Sequence, residues 1–279
     1  MTHAIDDLDD PRVAEYRNLP DPVLLRDHGL FVAEGRQVVR HLLASDRFRA
    51  KSVLVSPAAL ESLREAIDAR PALPAYVVDV ERIAALVGFN LHRGCLALGE
   101  RPAAMAVDTW WRDAAPSRLV VAVERVGNAD NMGALFRNAL AFGAGGILLS
   151  PGCCDPLYRK SIRVSMGAAL RLPFALDDDW PQALGMMRAA GVRVLAMTPH
   201  EPARDIDDAL AAAGTVAPIA ILLGHEGDGL SEQAMAAADE RVRIPLAPGV
   251  DSLNVATAAA IALHASRRRA GQPREPDLG

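Results

Sequence analysis

Three segments of this sequence place polar side chains and glycines directly after a run of apolar residues. The first, residues 124–143, holds Asn128, Asp130 and Asn131 in a predicted turn, followed by Arg137 inside a predicted helix. Asn128 and Asp130 are expected to close the turn with their side chains, and Asn131 is expected to be the N-cap of the helix. From that helix, the Arg137 guanidinium could reach an anion at the end of the preceding strand. When Arg137 is considered alone, a surface arginine paired with an acidic neighbour is the better explanation.

The second segment, residues 219–231, is a predicted strand that ends in a glycine-rich loop. Gly224, Gly227 and Gly229 allow a ligand to approach the backbone closely, and Glu226 adds a carboxylate to the same loop. The glycine order differs from the G-x-G-x-x-G of dinucleotide sites, whose acidic residue follows about 20 residues later. A tight turn without a ligand is the competing explanation.

The third segment, residues 243–264, begins with a short apolar strand end at residues 244–246. Ser252 and Asn254 flank Leu253, and an alanine-rich helix follows. Ser252 could simply be the N-cap of that helix. Ligand crevices in open α/β sheets form at the carboxyl ends of the strands, so the three segments together predict one crevice.

The elements that must position these segments form two α/β domains in the predicted organisation. Continuous apolar runs predict parallel strands covered on both faces, at residues 119–123, 146–150, 192–197 and 219–223. Helical stretches between them imply right-handed crossovers. The earlier part of the chain predicts a smaller unit with strands at 30–33, 52–55, 75–78 and 94–98 and helices at 35–44, 58–69 and 81–87. We therefore expect domains at residues 11–101 and 118–270, with a proline- and tryptophan-marked linker at residues 102–117.

Composition restricts the class of protein. The 279 residues are 51% apolar, without a run of about 20 apolar residues, which predicts a globular protein in the cytoplasm and no membrane span. Cys95, Cys153 and Cys154 have no zinc-site spacing, so we expect reduced cysteines and no metal. A net charge of -5 disfavours binding of nucleic acid by bulk charge, although it allows a local basic groove.

The three segments together resemble a known family. The motifs N-x-G-A-x-x-R, G-x-E-G-x-G-L, and I-P-L followed by S-L-N-V-A occur here in that order. They are similar to those of the SpoU (TrmH-like) RNA ribose 2'-O-methyltransferases of the SPOUT superfamily, over about residues 119–266. Ser165-Met166-Gly167 falls where that family has a similar tripeptide. Residues 33–39 and 93–98 look like the ribosomal-protein-like RNA-binding domain that often precedes such enzymes.

The resemblance implies a C-terminal α/β trefoil-knot methyltransferase domain preceded by a small α/β RNA-binding domain. In the knot, the chain from residue 219 to the last helix threads through a loop. The implied cofactor is S-adenosyl-L-methionine, and the implied partners are rRNA or tRNA and a second copy of the chain. The residues that map to the cofactor site are Leu223, Gly224, Ile244, Leu246 and Leu253.

The resemblance also implies roles for the polar residues of the three segments. We expect Arg137 to hold the phosphate beside the target ribose and to stabilise the developing alkoxide, because a guanidinium is a poor base at neutral pH. Asn131 is expected to orient Arg137, and Glu226 to hold the active-site network. Ser252 and Asn254 are expected to bind near the reacting ribose and the cofactor.

In the first domain, we expect an arginine-bearing segment to bind RNA: Arg36, Arg40, Arg47 and Arg49. The alternative is that these arginines only solvate a helix face. Two departures from the family pattern also stand in the second domain. Ala129-Asp130 replaces a common Pro-Gly, which could alter the turn before Asn131, and His225 replaces a different residue.

Two other functions compete with this hypothesis. A non-catalytic RNA-binding or ribosome-assembly protein could keep the same fold, although it would not need Arg137, Glu226, Ser252 and Asn254. A nicotinamide-dependent dehydrogenase would share the α/β pattern. The order of the glycines argues against the dehydrogenase.

Overall fold

The computed structural model describes residues 2–17, 20–88 and 94–269. Arg93, in the predicted strand motif of the first domain, lies outside them, as does residue 270 of the predicted second domain. The chain forms two compact units. The first contains residues 1–103 and 155–171, and the second contains residues 104–154 and 172–279.

The N-terminal part of the chain alternates strands and helices. In order, these are β1 (Thr2–Ala4), a 3-10 helix (Pro11–Tyr16), α1 (Asp21–His28), β2 (Leu30–Glu34), α2 (Arg36–Leu43), β3 (Arg49–Val55), α3 (Pro57–Asp68), β4 (Ala75–Val77), α4 (Val80–Val87) and β5 (Cys95–Glu100). The strands form a mixed sheet in the order β1-β4-β3-β5-β2. The small α/β unit predicted from the hydrophobic pattern is therefore present, and β1, the 3-10 helix and α1 are additions to it.

The remaining α-helices and strands continue in chain order. They are α5 (Val107–Ala114), β6 (Leu119–Val123), α6 (Ala129–Ala141), β7 (Ile147–Leu149), α7 (Arg159–Val164), β8 (Phe174–Leu176), α8 (Trp180–Ala189), β9 (Arg193–Met197), β10 (Arg204–Asp205), α9 (Ile206–Ala213), β11 (Ile219–Leu223), α10 (Glu232–Ala237), β12 (Glu240–Arg243) and α11 (Val255–Arg269). Of these, α7 belongs to the first unit.

The second unit is built on a seven-stranded sheet in the order β10-β12-β9-β11-β6-β7-β8, in which every pair is parallel. Every residue of the central strands β6 and β11 is buried, as expected for strands that helices cover on both faces. On one face, Val120 and Ala122 pack in a core with Trp110, Trp180 and Ala234. On the other, α11 packs against β11, α6 and α9.

The predicted linker at residues 102–117 is wrong in part, because it contains α5. Trp110 and Ala114 of this helix are fully buried. The Trp110 indole N–H also donates to the Pro173 carbonyl at 3.3 Å. Apolar residues at helical spacing, Val107, Trp110 and Ala114, override the proline signals on either side.

Within the described ranges, no helix has the length and apolarity needed to cross a bilayer. Those same ranges contain no cluster of three or more histidine, cysteine or acidic side chains that could hold a metal ion.

Candidate active site at the carboxyl edge of the parallel sheet

The carboxyl ends of three neighbouring strands lie at one level of the sheet. Leu223 pairs with Val123, and Val123 pairs with Leu149. The Glu124 N–H donates to the Leu223 carbonyl at 2.8 Å, which extends the pairing of β6 and β11 into the loops. The first two motif segments therefore leave adjacent strands on the same side of the sheet.

The first loop enters α6 through Asn128. Its side-chain oxygen accepts from the backbone N–H groups of Asp130 at 2.8 Å and Asn131 at 3.2 Å. Asn128 is thus the N-cap, and the prediction that Asn131 has this role is wrong. The helix begins at Ala129, directly after the cap, with Ala129-Asp130 in its first turn. Asn131 is left with a side chain free to bond elsewhere.

Asn131 joins all three motif segments. Its Nδ2 donates to Glu226 Oε1 at 2.9 Å, and its Oδ1 accepts from Asn254 Nδ2 at 2.9 Å. These bonds use one donor and one acceptor of a single amide, so the three side chains form one network. The sequence predicted all three as site residues, and the structure brings them into contact.

Glu226 also accepts from the backbone N–H of Asn128 at 3.4 Å. Partial burial raises the pKa of Glu226, but hydrogen bonds from the Asn131 side chain and from the backbone N–H groups of Glu226 and Asn128 outweigh it. The pKa of Glu226 therefore lies below its ordinary value. The carboxylate is ionised at neutral pH and acts as a hydrogen-bond acceptor.

Asn254 caps α11 as well as bonding Asn131. Its Oδ1 accepts from the backbone N–H groups of Ala256 at 2.9 Å and Thr257 at 3.3 Å. Ser252 is therefore not the N-cap, and its side chain is exposed. The predicted strand end at residues 244–246 is also wrong, because β12 ends at Arg243. Pro245 lacks the N–H that continued pairing would need.

The glycine loop folds tightly on itself between β11 and α10. A Cβ on Gly224 would lie 2.4 Å from the Gly229 carbonyl carbon and 2.5 Å from the Leu230 nitrogen, so only glycine fits. His225 and Gly229 exchange backbone hydrogen bonds at 3.1 Å. His225 Nδ1 accepts from the N–H groups of Gly227 at 3.0 Å and Asp228 at 3.1 Å. His225 thus supports the loop conformation from within.

Sequence reasoning missed Glu124 as a site residue. This carboxylate is 4% exposed and accepts from the Ser231 N–H and from the Ser231 hydroxyl, both at 2.7 Å. Ser231 is also the N-cap of α10 and accepts from Ala234 N–H at 3.1 Å. Glu124 therefore fixes the far end of the glycine loop to β6. An acidic residue directly after an entirely apolar strand was the available signal.

Comparisons with known proteins identify the family of this chain. Residues 118–264 match the model of the SpoU rRNA Methylase family. This chain belongs to that family. An uncharacterized tRNA/rRNA methyltransferase of Mycobacterium tuberculosis is 40% identical over 269 residues, which cover 95% of this chain and 91% of the relative. The family predicted from the motifs is confirmed, and the dehydrogenase hypothesis is excluded.

Solved structures extend the similarity to nearly the whole chain. An AdoMet-bound rRNA methyltransferase from Sinorhizobium meliloti is 27% identical, with a TM-score of 0.77 over 96% of this chain and 98% of that chain. An RNA 2'-O ribose methyltransferase is 25% identical, with a TM-score of 0.72 over 96% and 99%. This chain is thus a SpoU-family methyltransferase with the α/β parallel-sheet fold of its relatives.

Arg137 of this SpoU-family chain does not join the network. It lies further along α6, exposed, and rotated about a third of a turn from the face that carries Asn131. Within the described residues, its guanidinium makes no hydrogen bond or ion pair. The hydrogen bonds of Asn131 run to Glu226 and Asn254, so the expected orienting contact from Asn131 to Arg137 is absent from this part of the chain.

The predicted cofactor residues lie at the start of the glycine loop and in the segment after β12. Leu223 is buried at the end of β11, next to Gly224, whereas Ile244, Leu246 and Leu253 are half-buried. Partly exposed aliphatic side chains of this kind suit the apolar walls of a ligand site.

The four predicted RNA-binding arginines have different surroundings. Arg36 is exposed on α2, and Arg40 donates to the Ser62 carbonyl at 2.5 Å. The Arg47 guanidinium lies 5.1 Å from the centre of the Phe48 ring. Arg49 pairs with Glu100, with an Nε–Oε2 distance of 2.6 Å. Arg49 thus already has a carboxylate partner.

Proposed function

We propose that this chain transfers a methyl group from S-adenosylmethionine to a ribose 2'-hydroxyl of tRNA or rRNA. The observation that carries the proposal is the network of Asn131, Glu226 and Asn254, which ties the three motif loops together at the carboxyl edge of the sheet. The similarity to the solved RNA 2'-O ribose methyltransferase supports the choice of the ribose as acceptor.

The residues predicted to hold the cofactor fit its chemistry. Among the described residues, the stretch from Ile244 to Leu253 has one backbone hydrogen bond, from Val250 N–H to the Ala247 carbonyl at 3.2 Å, so its other backbone amides could bind a ligand. Half-buried Ile244, Leu246 and Leu253 add apolar surface. Backbone groups and aliphatic walls suit a purine, and an ionised Glu226 nearby favours a cationic ligand.

S-adenosylmethionine supplies a methyl group on a positively charged sulfur, which activates it for attack by an oxygen. The chain therefore has mainly to position the hydroxyl and exclude competing orientations. Glu226, held by Asn131, keeps the loop that follows β11 in place. Ser252 and Asn254 are assigned to the ribose and cofactor side of the crevice. Transfer would replace the methyl–sulfur bond by a methyl–oxygen bond, with S-adenosylhomocysteine as the leaving group and the proton of the hydroxyl released to solvent.

Arg137 is assigned to the RNA. Its exposed guanidinium has no partner among the described residues and is available to bind the phosphate beside the target ribose and to stabilise the alkoxide as it develops. Arg137 and Asn131 lie on different faces of α6. The assignment of Arg137 to the RNA therefore also fits an active site that a second copy of the chain completes. The trefoil knot, the homodimer, the cytoplasmic location and the RNA-binding role of the first domain are parts of the same proposal.

A labelling experiment tests the proposal. The purified protein is incubated with methyl-labelled S-adenosylmethionine and with total RNA from cells that lack the gene, or with DNA. We expect label in RNA and none in DNA, because DNA has no 2'-hydroxyl. Arg137→Ala should abolish transfer while the affinity for S-adenosylmethionine stays within a few fold. Equal labelling of DNA would contradict the ribose assignment, and a large loss of cofactor binding would contradict the role of Arg137.

A further inference from the structure

The glycine loop between β11 and α10 is held from within by the His225 side chain. His225 Nδ1 accepts from the backbone N–H groups of Gly227 at 3.0 Å and Asp228 at 3.1 Å. A ring nitrogen that accepts two N–H groups uses its lone pair and carries no hydrogen of its own. The imidazole is therefore neutral in this loop, and its hydrogen is on Nε2.

The other two motif segments contain the same arrangement, with an amide oxygen in place of the ring nitrogen. Asn128 Oδ1 accepts from the N–H groups two and three residues further on, at 2.8 Å and 3.2 Å. Asn254 Oδ1 does the same at 2.9 Å and 3.3 Å. Each motif segment thus has one side-chain acceptor that holds two N–H groups of the backbone after it. Of these three acceptors, only the imidazole of His225 can take up a proton near neutral pH.

A proton on His225 Nδ1 would turn the acceptor into a donor. The N–H groups of Gly227 and Asp228 would then face a third N–H, so both hydrogen bonds would be lost. Nearby charge favours this proton, because Asp228 Oδ2 lies 3.9 Å from Nδ1 and the Glu226 carboxylate interacts electrostatically with the ring. The backbone of the loop therefore favours the neutral imidazole, whereas the two carboxylates favour the charged one.

Other elements add one charged group to the surroundings of this loop. At the end of β6, the Glu124 carboxylate accepts from Ser231, at the far end of the loop. From the start of α6, the uncharged side chain of Asn131 and the N–H of Asn128 bond the Glu226 carboxylate. Protonation of His225 is thus governed chiefly by the loop itself.

The same hydrogen bonds define the kind of role that His225 has. The Nδ1 lone pair is occupied by the N–H groups of Gly227 and Asp228, and Nε2 already carries a hydrogen. The neutral ring consequently has no free lone pair with which to accept the proton of a substrate hydroxyl. His225 acts through the backbone of the loop and not as a general base.

We propose that His225 is a positioning residue that holds the glycine loop only as the neutral imidazole, so that acidification weakens the binding of S-adenosylmethionine. The inference rests on the assignment of this loop to the cofactor in the proposed function, and it adds a dependence on pH. The two hydrogen bonds stabilise the loop while the ring is neutral, and they are lost as the pH falls through the range in which imidazoles gain a proton, about pH 8 to 5. Glu226 stays ionised there, because its pKa lies below the ordinary 4.5.

The test measures S-adenosylmethionine affinity by calorimetric titration between about pH 8 and about pH 5.5. His225→Asn keeps an acceptor for both N–H groups, as Asn128 does, but gains no proton. Wild type and His225→Asn should bind within about threefold of each other at the higher pH, and wild type should bind about tenfold more weakly than His225→Asn at the lower pH. His225→Ala has no acceptor and should bind about tenfold more weakly than His225→Asn throughout. The ratio to His225→Asn cancels the titration of the cofactor and of other residues.

A second pair of variants tests the charge beside the ring. Asp228→Asn keeps the N–H that donates to Nδ1 but removes the carboxylate that favours the protonated imidazole. The weakening of S-adenosylmethionine binding should therefore move to lower pH. Asp178→Asn, at an exposed carboxylate before α8, changes the net charge equally and should leave the pH range as in the wild type. Equal pH ranges for Asp228→Asn and Asp178→Asn would contradict the effect of Asp228 on the ring.

The outcomes separate this inference from the proposed function. A ratio of wild type to His225→Asn that stays constant with pH would overturn the role of His225, even if the wild type methylates RNA. Failure of the wild type to bind S-adenosylmethionine would instead overturn the proposed function. Amide hydrogen exchange at Gly227 and Asp228 tests the loop without the cofactor. Their protection, relative to the intrinsic exchange rate, should fall on acidification in the wild type and persist in His225→Asn, and equal protection in both proteins would overturn the inference.

Discussion

The carboxylates of Glu226 and Glu124 are fixed by different neighbours and have different roles. Glu226 is exposed in part and accepts from Asn131 and Asn128, so its charge is available to a ligand. Glu124 is buried, and both of its carboxylate oxygens accept hydrogen bonds from Ser231. One carboxylate therefore belongs to the crevice, and the other holds the loop that shapes it.

The lowered pKa of Glu226 predicts a pH dependence of stability. Its folded-state pKa lies below the ordinary 4.5, so its hydrogen bonds stabilise the folded protein above about pH 4.5. That stabilisation is lost as pH falls through the folded pKa. We expect the difference in unfolding free energy between wild type and Glu226→Gln to shrink on going from neutral pH to about pH 3. Urea denaturation at several pH values measures it, and a constant difference would contradict the ionised network.

The Glu124 anchor predicts a loss of stability and of cofactor binding together. Glu124→Gln puts an amide N–H where a carboxylate oxygen of a buried side chain accepts from the half-buried Ser231, which should lower the free energy of unfolding by about 1–3 kcal/mol. The glycine loop should loosen, and S-adenosylmethionine should bind more weakly. Glu100→Gln, at the exposed pair with Arg49, is the matched control and should cost less than about 1 kcal/mol. Equal decreases in the free energy of unfolding for Glu124→Gln and Glu100→Gln would contradict a special role of Glu124 in holding the glycine loop.

Sequence reasoning found the residues of the network but not all of its bonds. Asn131, Glu226 and Asn254 follow strand ends or flank a helix start, which motif order can show. Asn131 was expected to cap α6, and a cap of α11 was only the alternative explanation for Ser252, whereas Asn128 and Asn254 make these two caps. Several Asn, Asp and Ser residues stand at each helix start, and the choice among them depends on backbone geometry that the sequence does not display.

At the scale of elements, the loop after β11 depends on one glycine more than on the others. In Gly224→Ala, the new methyl would collide with the backbone of Gly229 and Leu230, which cannot move aside as a flexible side chain can. Gly227→Ala meets only the His225 ring, at 3.4 Å. We expect Gly224→Ala to weaken S-adenosylmethionine binding about tenfold or more, and Gly227→Ala to change it little. Similar affinities for both variants in calorimetric titration would show that the loop conformation does not shape the site.

The central strands β6 and β11 were predictable because they are wholly apolar. Other elements were not. The helix α5 was taken for a linker because proline signals flank it, although Trp110 makes it part of the core. The strand end predicted at residues 244–246 lies too far along the chain, because β12 ends at Arg243. This strand has the charged sequence ERVR and shows little hydrophobic pattern.

At the scale of the whole molecule, the division into units does not follow the chain. Residues 155–171 lie between β7 and β8 in sequence yet pack in the first unit. No local pattern could have shown this, because it depends on contacts such as Arg159 N–H to Asp21 at 3.0 Å, between residues far apart in sequence. Removal of the N-terminal residues would therefore remove the residues against which segment 155–171 packs. Point variants consequently test the role of each unit better than truncation does.

The proposed homodimer makes a prediction about α6 and α11. Ile261 is an apolar residue of α11 that is 39% exposed, and it lies on a helix that we assign to the interface. Light scattering at micromolar concentration should give twice the mass of one chain, and Ile261→Asp should shift the protein towards monomer. Val216→Asp, at an exposed apolar residue outside both helices, is the control. A wild-type monomer would contradict the dimer.

The central claim is methyl transfer to a ribose hydroxyl, and the chemistry of the product tests it most directly. RNA labelled by the protein with methyl-labelled S-adenosylmethionine is hydrolysed in alkali, which requires a free 2'-hydroxyl at each cleaved linkage. A 2'-O-methyl group blocks that cleavage, so the account predicts label in alkali-resistant dinucleotides with wild type and none with Arg137→Ala. Label released in mononucleotides would place the methyl group on a base and contradict the account.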